Sequence, residues 1–193
     1  MDLALPEWTV LALLREESRH GFALAGLTAR QGELGRVWHV PKPMIYRALD
    51  RLAKAELIAP SGVESDRGPS RTVFALTDSG RDAVEEWLHR PVEHVREIRS
   101  TLLMKLALLQ RRELGHDVLL RRQREVLEPI VTALDQERAD GDGFTEVLMT
   151  WRYTSADAAL RFVAELESQG GPGSQGGPGP QGSPARRRTH EGG

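Results

Sequence analysis

The sequence predicts a mostly α-helical chain with one small β-hairpin, followed by a second unit built only from helices. Three observations carry that expectation. Apolar spacing turns strand-like only once, between residues 57 and 76. Residues 91–168 keep helical periodicity throughout. At residue 169 the composition shifts abruptly to Gly, Pro, Gln and Ser. The expected units are therefore 1–90, 91–168 and a tail, 169–193.

Residues 6–16 read as a first helix. Pro6 suits a first helical position, and Val10, Leu13 and Leu14 form one apolar stripe. Residues 20–30 read as a second, with Phe22, Leu24 and Leu27 turned partly inward. A third runs over 43–55, where Ile45, Ala48, Leu49 and Leu52 follow the i, i+3, i+4, i+7 pattern. Leu57-Ile58-Ala59 is a short apolar segment, PSGVESDRGPS is turn-rich, and RTVFAL is rich in strand formers. Two short strands around a long loop make a hairpin. Thr77 then caps a helix over 78–90, with Val84, Trp87 and Leu88 on its apolar side. Three helices, a hairpin and a helix are the winged helix-turn-helix plan, in which the third helix reads DNA and the hairpin is the wing.

Beyond residue 91 the expected helices are 92–111, 115–139, bent or split near Pro129, and 143–168. Long amphipathic helices bury their stripes against a partner, which in a DNA reader is a second copy. This makes 91–168 a helical dimerisation unit. Trp151 fits either packing in that unit or the lining of an effector pocket. In the tail, glycine recurs at 170, 173, 176, 179 and 182. Too few apolar residues remain there to offset the entropy of ordering, so a disordered tail is expected.

Composition removes several function classes. The 193 residues contain no cysteine, so neither disulfides nor cysteine–zinc sites exist. No stretch reads as a signal peptide or membrane span, and a cytoplasmic location is expected. The six histidines show no H-E-x-x-H spacing, and neither a G-x-S-x-G nor a G-x-x-x-x-G-K-[ST] motif occurs. No catalysis, cofactor or metal is expected. The net charge of −2 runs against DNA binding, but its distribution favours it. Residues 36–72 hold seven basic and four acidic side chains, so the rest of the chain carries the acidic excess.

The third helix turns Lys42, Arg47, Arg51 and Lys54 away from its apolar face. Arg47 suits bidentate bonds to guanine O6 and N7. Tyr46 either donates its hydroxyl to a phosphate or packs. Arg67 and Arg71 in the hairpin suit phosphate or minor-groove contact. The expected DNA-binding set is Lys42, Tyr46, Arg47, Arg51, Lys54, Arg67 and Arg71.

The segments WTVLALLRE (8–16), HGFAL (20–24), MIYRALDRLAKAELI (44–58) and RTVFALTDSGRDAVEEWL (71–88) resemble the PadR family of transcriptional regulators. Ile-Tyr-Arg-Ala-Leu at 45–49 and Leu-Thr-x-x-Gly at 76–80 carry the most specific likeness. Met104 to Leu108, with the helices after it, resembles the longer-tailed branch of that family. The likeness spans about residues 7–168. It departs at Glu56, where glycine is usual, at Pro41, where a capping serine is common, and at Phe74, where tyrosine is more usual. The resemblance implies a homodimeric repressor on palindromic double-stranded DNA, released by a small hydrophobic or phenolic effector. The alternative from another class is a winged-helix adaptor that binds a protein partner. The acidic balance outside 36–72 supports that alternative.

Overall fold

The computed structural model describes residues 3–65, 69–139 and 142–170. The first helix, α1 (Leu5–Glu16), starts with proline in its first turn and buries Val10, Leu11, Leu13 and Leu14. It lies against α3 (Lys42–Lys54) and α4 (Asp78–His89). Between them come a two-residue strand, β1 (Arg19–His20), α2 (Gly21–Thr28) and a 3-10 turn, Leu34–Arg36. His20 ends β1 and caps α2, its Nδ1 accepting the Ala23 N–H at 3.0 Å. The helix α3 buries Ile45, Ala48, Leu49 and Leu52, the four positions expected from spacing.

Strands β2 (Ile58–Glu64) and β3 (Arg71–Leu76) pair antiparallel, from Ile58 opposite Leu76 to Glu64 opposite Arg71. β1 pairs with the other edge of β3, so the expected hairpin is a three-stranded sheet ordered β1-β3-β2. Residues 60–64, read as turn, belong to a strand. Only Ile58 of β2 is buried, so no alternation of apolar residues betrays it. Pro60 is tolerated because β2 is an edge strand, and the register slips between Pro60 and Gly62 in a bulge.

The turn from α3 to β2 explains one departure noted in the sequence. Leu57 N–H donates to Leu52 O and Glu56 N–H to Ala53 O, both at 3.0 Å. This is the Schellman ending, and it puts Glu56 at φ 56°. A side chain there works against a conformation that glycine enters freely. Glu56→Gly is therefore expected to stabilise the fold by roughly 1 kcal/mol, less what the glycine loses in unfolded-chain entropy. Urea denaturation checks it, and a lower midpoint would overturn the account. Glu113 ends α5 (Leu103–Arg111) in the same way, at φ 55°.

The stretch 92–111 is not one α-helix. A 3-10 turn, Val95–Glu97, and a π-helical turn, Ile98–Leu102, precede α5. The helix α6 (Asp117–Ala139) runs through Pro129 without a break, so it is not split there. It lies along α7 (Gly143–Gly170), which reaches two residues past the expected boundary. Gln123 of α6 is fully buried and bonds both backbone groups of Val92, at 2.8 and 2.9 Å. The remainder of the tail, 171–193, lies outside the described residues.

One buried apolar cluster extends from Val10 in α1 to Val163 in α7. Trp87 is buried as expected and stacks on Trp8 with centroids 5.2 Å apart. Lys105 sits over the Trp87 ring and donates to Arg90 O, the last carbonyl of α4's C-cap, at 2.5 Å. Burial, and then the neighbouring Arg90 charge, pushes the Lys105 amine down to about 8, against the pull of Glu97. Around this core, Glu85 of α4 takes both Arg15 and Arg112 at 2.8 Å. Burial raises the Glu85 carboxyl, but Arg112 and Arg15 outweigh it and hold it below the usual value. Arg111 of α5 forks onto Glu16 of α1 at 2.7 and 2.8 Å and also meets Glu33.

Two aromatic side chains lie outside the core. Phe22 is 52% exposed rather than turned inward. Trp151 is 69% exposed, so it does not pack in the core of this chain. Helical spacing set both expectations, yet only the later turns of α7, at Ala156, Ala159 and Val163, meet the core. Among the described residues, no helix is long and apolar enough to cross a membrane.

Candidate nucleic-acid interface

The outward face of α3 is built by contrast with its buried face. With Ile45, Ala48, Leu49 and Leu52 fixed against α1 and α2, the helical period puts Lys42, Tyr46, Arg47, Asp50, Arg51 and Lys54 in solvent. Pro41 precedes the helix and provides no side-chain cap, as its chemistry dictates. The ring of Tyr46 is half exposed and rests close to Gly21. A β-carbon on Gly21 would lie 3.0 Å from Tyr46 Cε1, so the glycine lets the two helices close up.

The cations on this face are not equivalent. Arg47 is exposed and has no ion pair or hydrogen bond among the described residues. Lys54 is tied to Asp50 one turn back, at 2.7 Å, with both side chains largely in solvent. Such an exposed i, i+4 pair contributes only a few tenths of a kcal/mol, about 0.3–0.5, and yields readily to a phosphate. Arg51 also has an internal partner. Its Nη1 donates to Glu7 Oε1 at 2.7 Å, and Glu7 of α1 is only 4% exposed. Arg51 thus joins α3 to α1 through a carboxylate that has no other partner for Oε2 among the described residues.

The wing brings Arg71 to the same side of the molecule. Its guanidinium lies 4.6 Å from the centre of the Phe22 ring, and Lys42 Nζ lies 5.1 Å from it. Phe22, Tyr46, Asp50 and Arg71 line a cleft of about 450 Å³ between α2, α3 and the sheet. Arg67 was expected at the wing tip and lies outside the described residues. The structure therefore brings Lys42, Tyr46 and Arg71 together, leaves Arg47 without a partner among the described residues, and ties Arg51 to α1 through Glu7. Phe22 is the participant that sequence reasoning missed. Its only signal was its place in the first turn of a short, glycine-flanked helix, where the apolar phase is poorly set.

A second cavity, of about 750 Å³, opens between residues 95–103 and α7. Ile98, Leu103, Trp151 and Phe162 give it apolar walls, with Arg96, Arg99 and Arg152 among its lining. Among the described residues no cluster of three or more His, Asp or Glu side chains is arranged to hold a metal.

Residues 10–86 match the transcriptional regulator PadR-like family. The probable transcriptional regulator Rv1176c of Mycobacterium tuberculosis is 29% identical over 101 residues, which are 52% of this chain and 52% of that protein. The chain thus spans about half the length of the curated relative it matches. Bacillus subtilis PadR, solved in complex with operator DNA, has a TM-score of 0.45 at 16% identity and covers 88% of this chain and 99% of its own. The smu.1604c protein of Streptococcus mutans has a TM-score of 0.41 at 22% identity, covering 84% of this chain and 98% of its own.

Proposed function

We propose, from the match of residues 10–86 to the PadR-like transcriptional regulator family, that the chain binds double-stranded DNA sequence-specifically, as a homodimeric repressor. The carrying observation is Arg47, an exposed guanidinium on the outward face of α3 with no internal partner among the described residues. A guanidinium left uncommitted beside a polar helix face is positioned to meet a guanine edge in the major groove. Lys42, Tyr46 and Lys54, exposed on the same helix, and Arg71 of the wing supply phosphate contacts. Two copies would set their α3 helices about one helical turn of DNA apart, roughly 34 Å, on a palindrome.

The partner copy is suggested by α7. Phe144, Val147 and Trp151 fall at i, i+3 and i+7 on that helix and are 78%, 62% and 69% exposed. Such a stripe is stable in water when a second apolar surface covers it. A strictly monomeric protein in sedimentation would remove this part. The cavity beside Trp151, apolar with guanidinium groups, suits a small phenolic or aromatic acid as the releasing effector.

Titration of operator fragments tests the reading. Arg47→Ala is expected to weaken specific binding by about 1–3 kcal/mol, roughly five- to 150-fold, and to relax base choice at one position. Unchanged affinity and selectivity would take Arg47 out of the reading role. Binding should also fall steeply from low to moderate salt. A complex insensitive to salt would favour a protein partner instead. Phenolic acids added to the same titration should release the DNA, and a complex unaffected by any of them would make the regulator constitutive.

A further inference from the structure

Phe22 has no role in this scheme, yet its position is unusual. A phenyl ring gains by burial, and this one is 52% exposed at the start of α2. Lys42, the first residue of α3, and Arg71, the first residue of β3, both lie over it, at 5.1 and 4.6 Å from the centroid. Three separate elements therefore meet at one exposed ring.

Among the described residues, no carboxylate pairs with either of these two cations. Asp50 lines the same cleft but is paired with Lys54. Glu64 stands opposite Arg71 in the sheet, but its carboxylate goes to His20 Nε2 at 3.3 Å. Two like charges gathered on one ring repel each other, and an anion between them removes that repulsion. The ring differs from a carboxylate in what it takes from its partners. It attracts a cation through its electron-rich face, leaving the charge and most of the N–H donors free for a second ligand.

We propose that Phe22 is a positioning residue that holds Lys42 and Arg71 on a single DNA phosphate, so that reading helix and wing grip the same point of the backbone. The adjoining cleft of about 450 Å³ gives that phosphate room, and Tyr46, whose ring centre is 6.0 Å from Lys42 Nζ, borders it. The inference rests on the DNA-binding reading above and deepens it: two cations already given to phosphates share one phosphodiester, and an aromatic residue outside that set holds them there.

The test is affinity for a mixed-sequence duplex, measured across salt concentrations, for Phe22→Leu and Phe22→Tyr. Leucine keeps the apolar bulk and removes the ring face, while tyrosine keeps both. Phe22→Leu is expected to bind about five-fold more weakly, with a salt slope shallower by about 1, and Phe22→Tyr to match the wild type. Thermal midpoints close to the wild type are expected for both, since the ring is half in solvent. Wild-type affinity and slope in Phe22→Leu would overturn the inference, as would equal losses in both variants. A wild-type protein that binds no duplex at any salt is a different result. It would sink the DNA reading itself and the phosphate seat with it.

Discussion

A Gly80→Ala protein is expected to be less stable by about 3 kcal/mol, enough to lower the thermal midpoint by roughly 6–12 °C in a chain of this size. The reason is a close approach of backbone to backbone. A β-carbon at position 80 would lie 2.0 Å from the carbonyl oxygen of Leu57 and 2.9 Å from its carbonyl carbon. That carbonyl cannot swing away freely, because it accepts the Thr77 N–H at 3.1 Å. The neighbouring cap is just as constrained. Thr77 Oγ1 accepts the Gly80 N–H at 3.1 Å and donates to Glu56 O at 2.8 Å. Any shift that admits the methyl group strains these bonds, and two of them, to Leu57 O and Glu56 O, join the start of α4 to the base of the wing. The Leu-Thr-x-x-Gly spacing at 76–80 thus has a packing reason. Calorimetry of the variant checks it, and a loss below 1 kcal/mol would show that the turn relaxes.

Arg51→Ala is expected to show its main effect in stability rather than in DNA affinity. Removing the guanidinium leaves the Glu7 carboxylate buried in α1 without a counter-charge. Breaking a fully buried pair costs about 3–5 kcal/mol. Here the Arg51 side chain is 54% exposed, so water already screens the pair and about 2 kcal/mol is the better figure. Adding Glu7→Gln to Arg51→Ala removes the stranded charge and should recover most of the loss. The salt dependence of DNA binding should stay near wild type in the single variant, in contrast to Arg47→Ala. A variant of unchanged stability that lost DNA affinity would show that Arg51 serves DNA contact rather than the pair with Glu7.

Sequence periodicity located the elements wherever one face is buried. Ile45, Ala48, Leu49 and Leu52 point to α3, and Thr77 marks the start of α4, because burial and capping leave local signatures. It was silent where structure depends on partners distant in the chain. β1 is two residues long and exists only because Arg19 and His20 meet Phe74 and Val73. Residues 60–64 look like a turn and form a strand for the same reason. The π-helical turn before α5 and the unbroken course of α6 through Pro129 are likewise settled by tertiary packing. Among the site residues, charge and helical phase picked out exposed cations but could not tell a free one from a paired one. Arg47 and Arg51 look alike in sequence, and only the proximity of Glu7, 44 positions away, separates them. Phe22 was misplaced because its neighbours Lys42 and Arg71 come from two other elements.

The bulge in β2 has a consequence for how the wing behaves in a crowded solution. β2 forms the open border of the sheet, where an unbroken row of amide donors would offer a template for a foreign strand. Pro60 deletes one of those donors and the irregularity beside it throws the remainder out of step. The chain can therefore keep a thin, solvent-washed ribbon that offers a foreign strand little to template on along its rim.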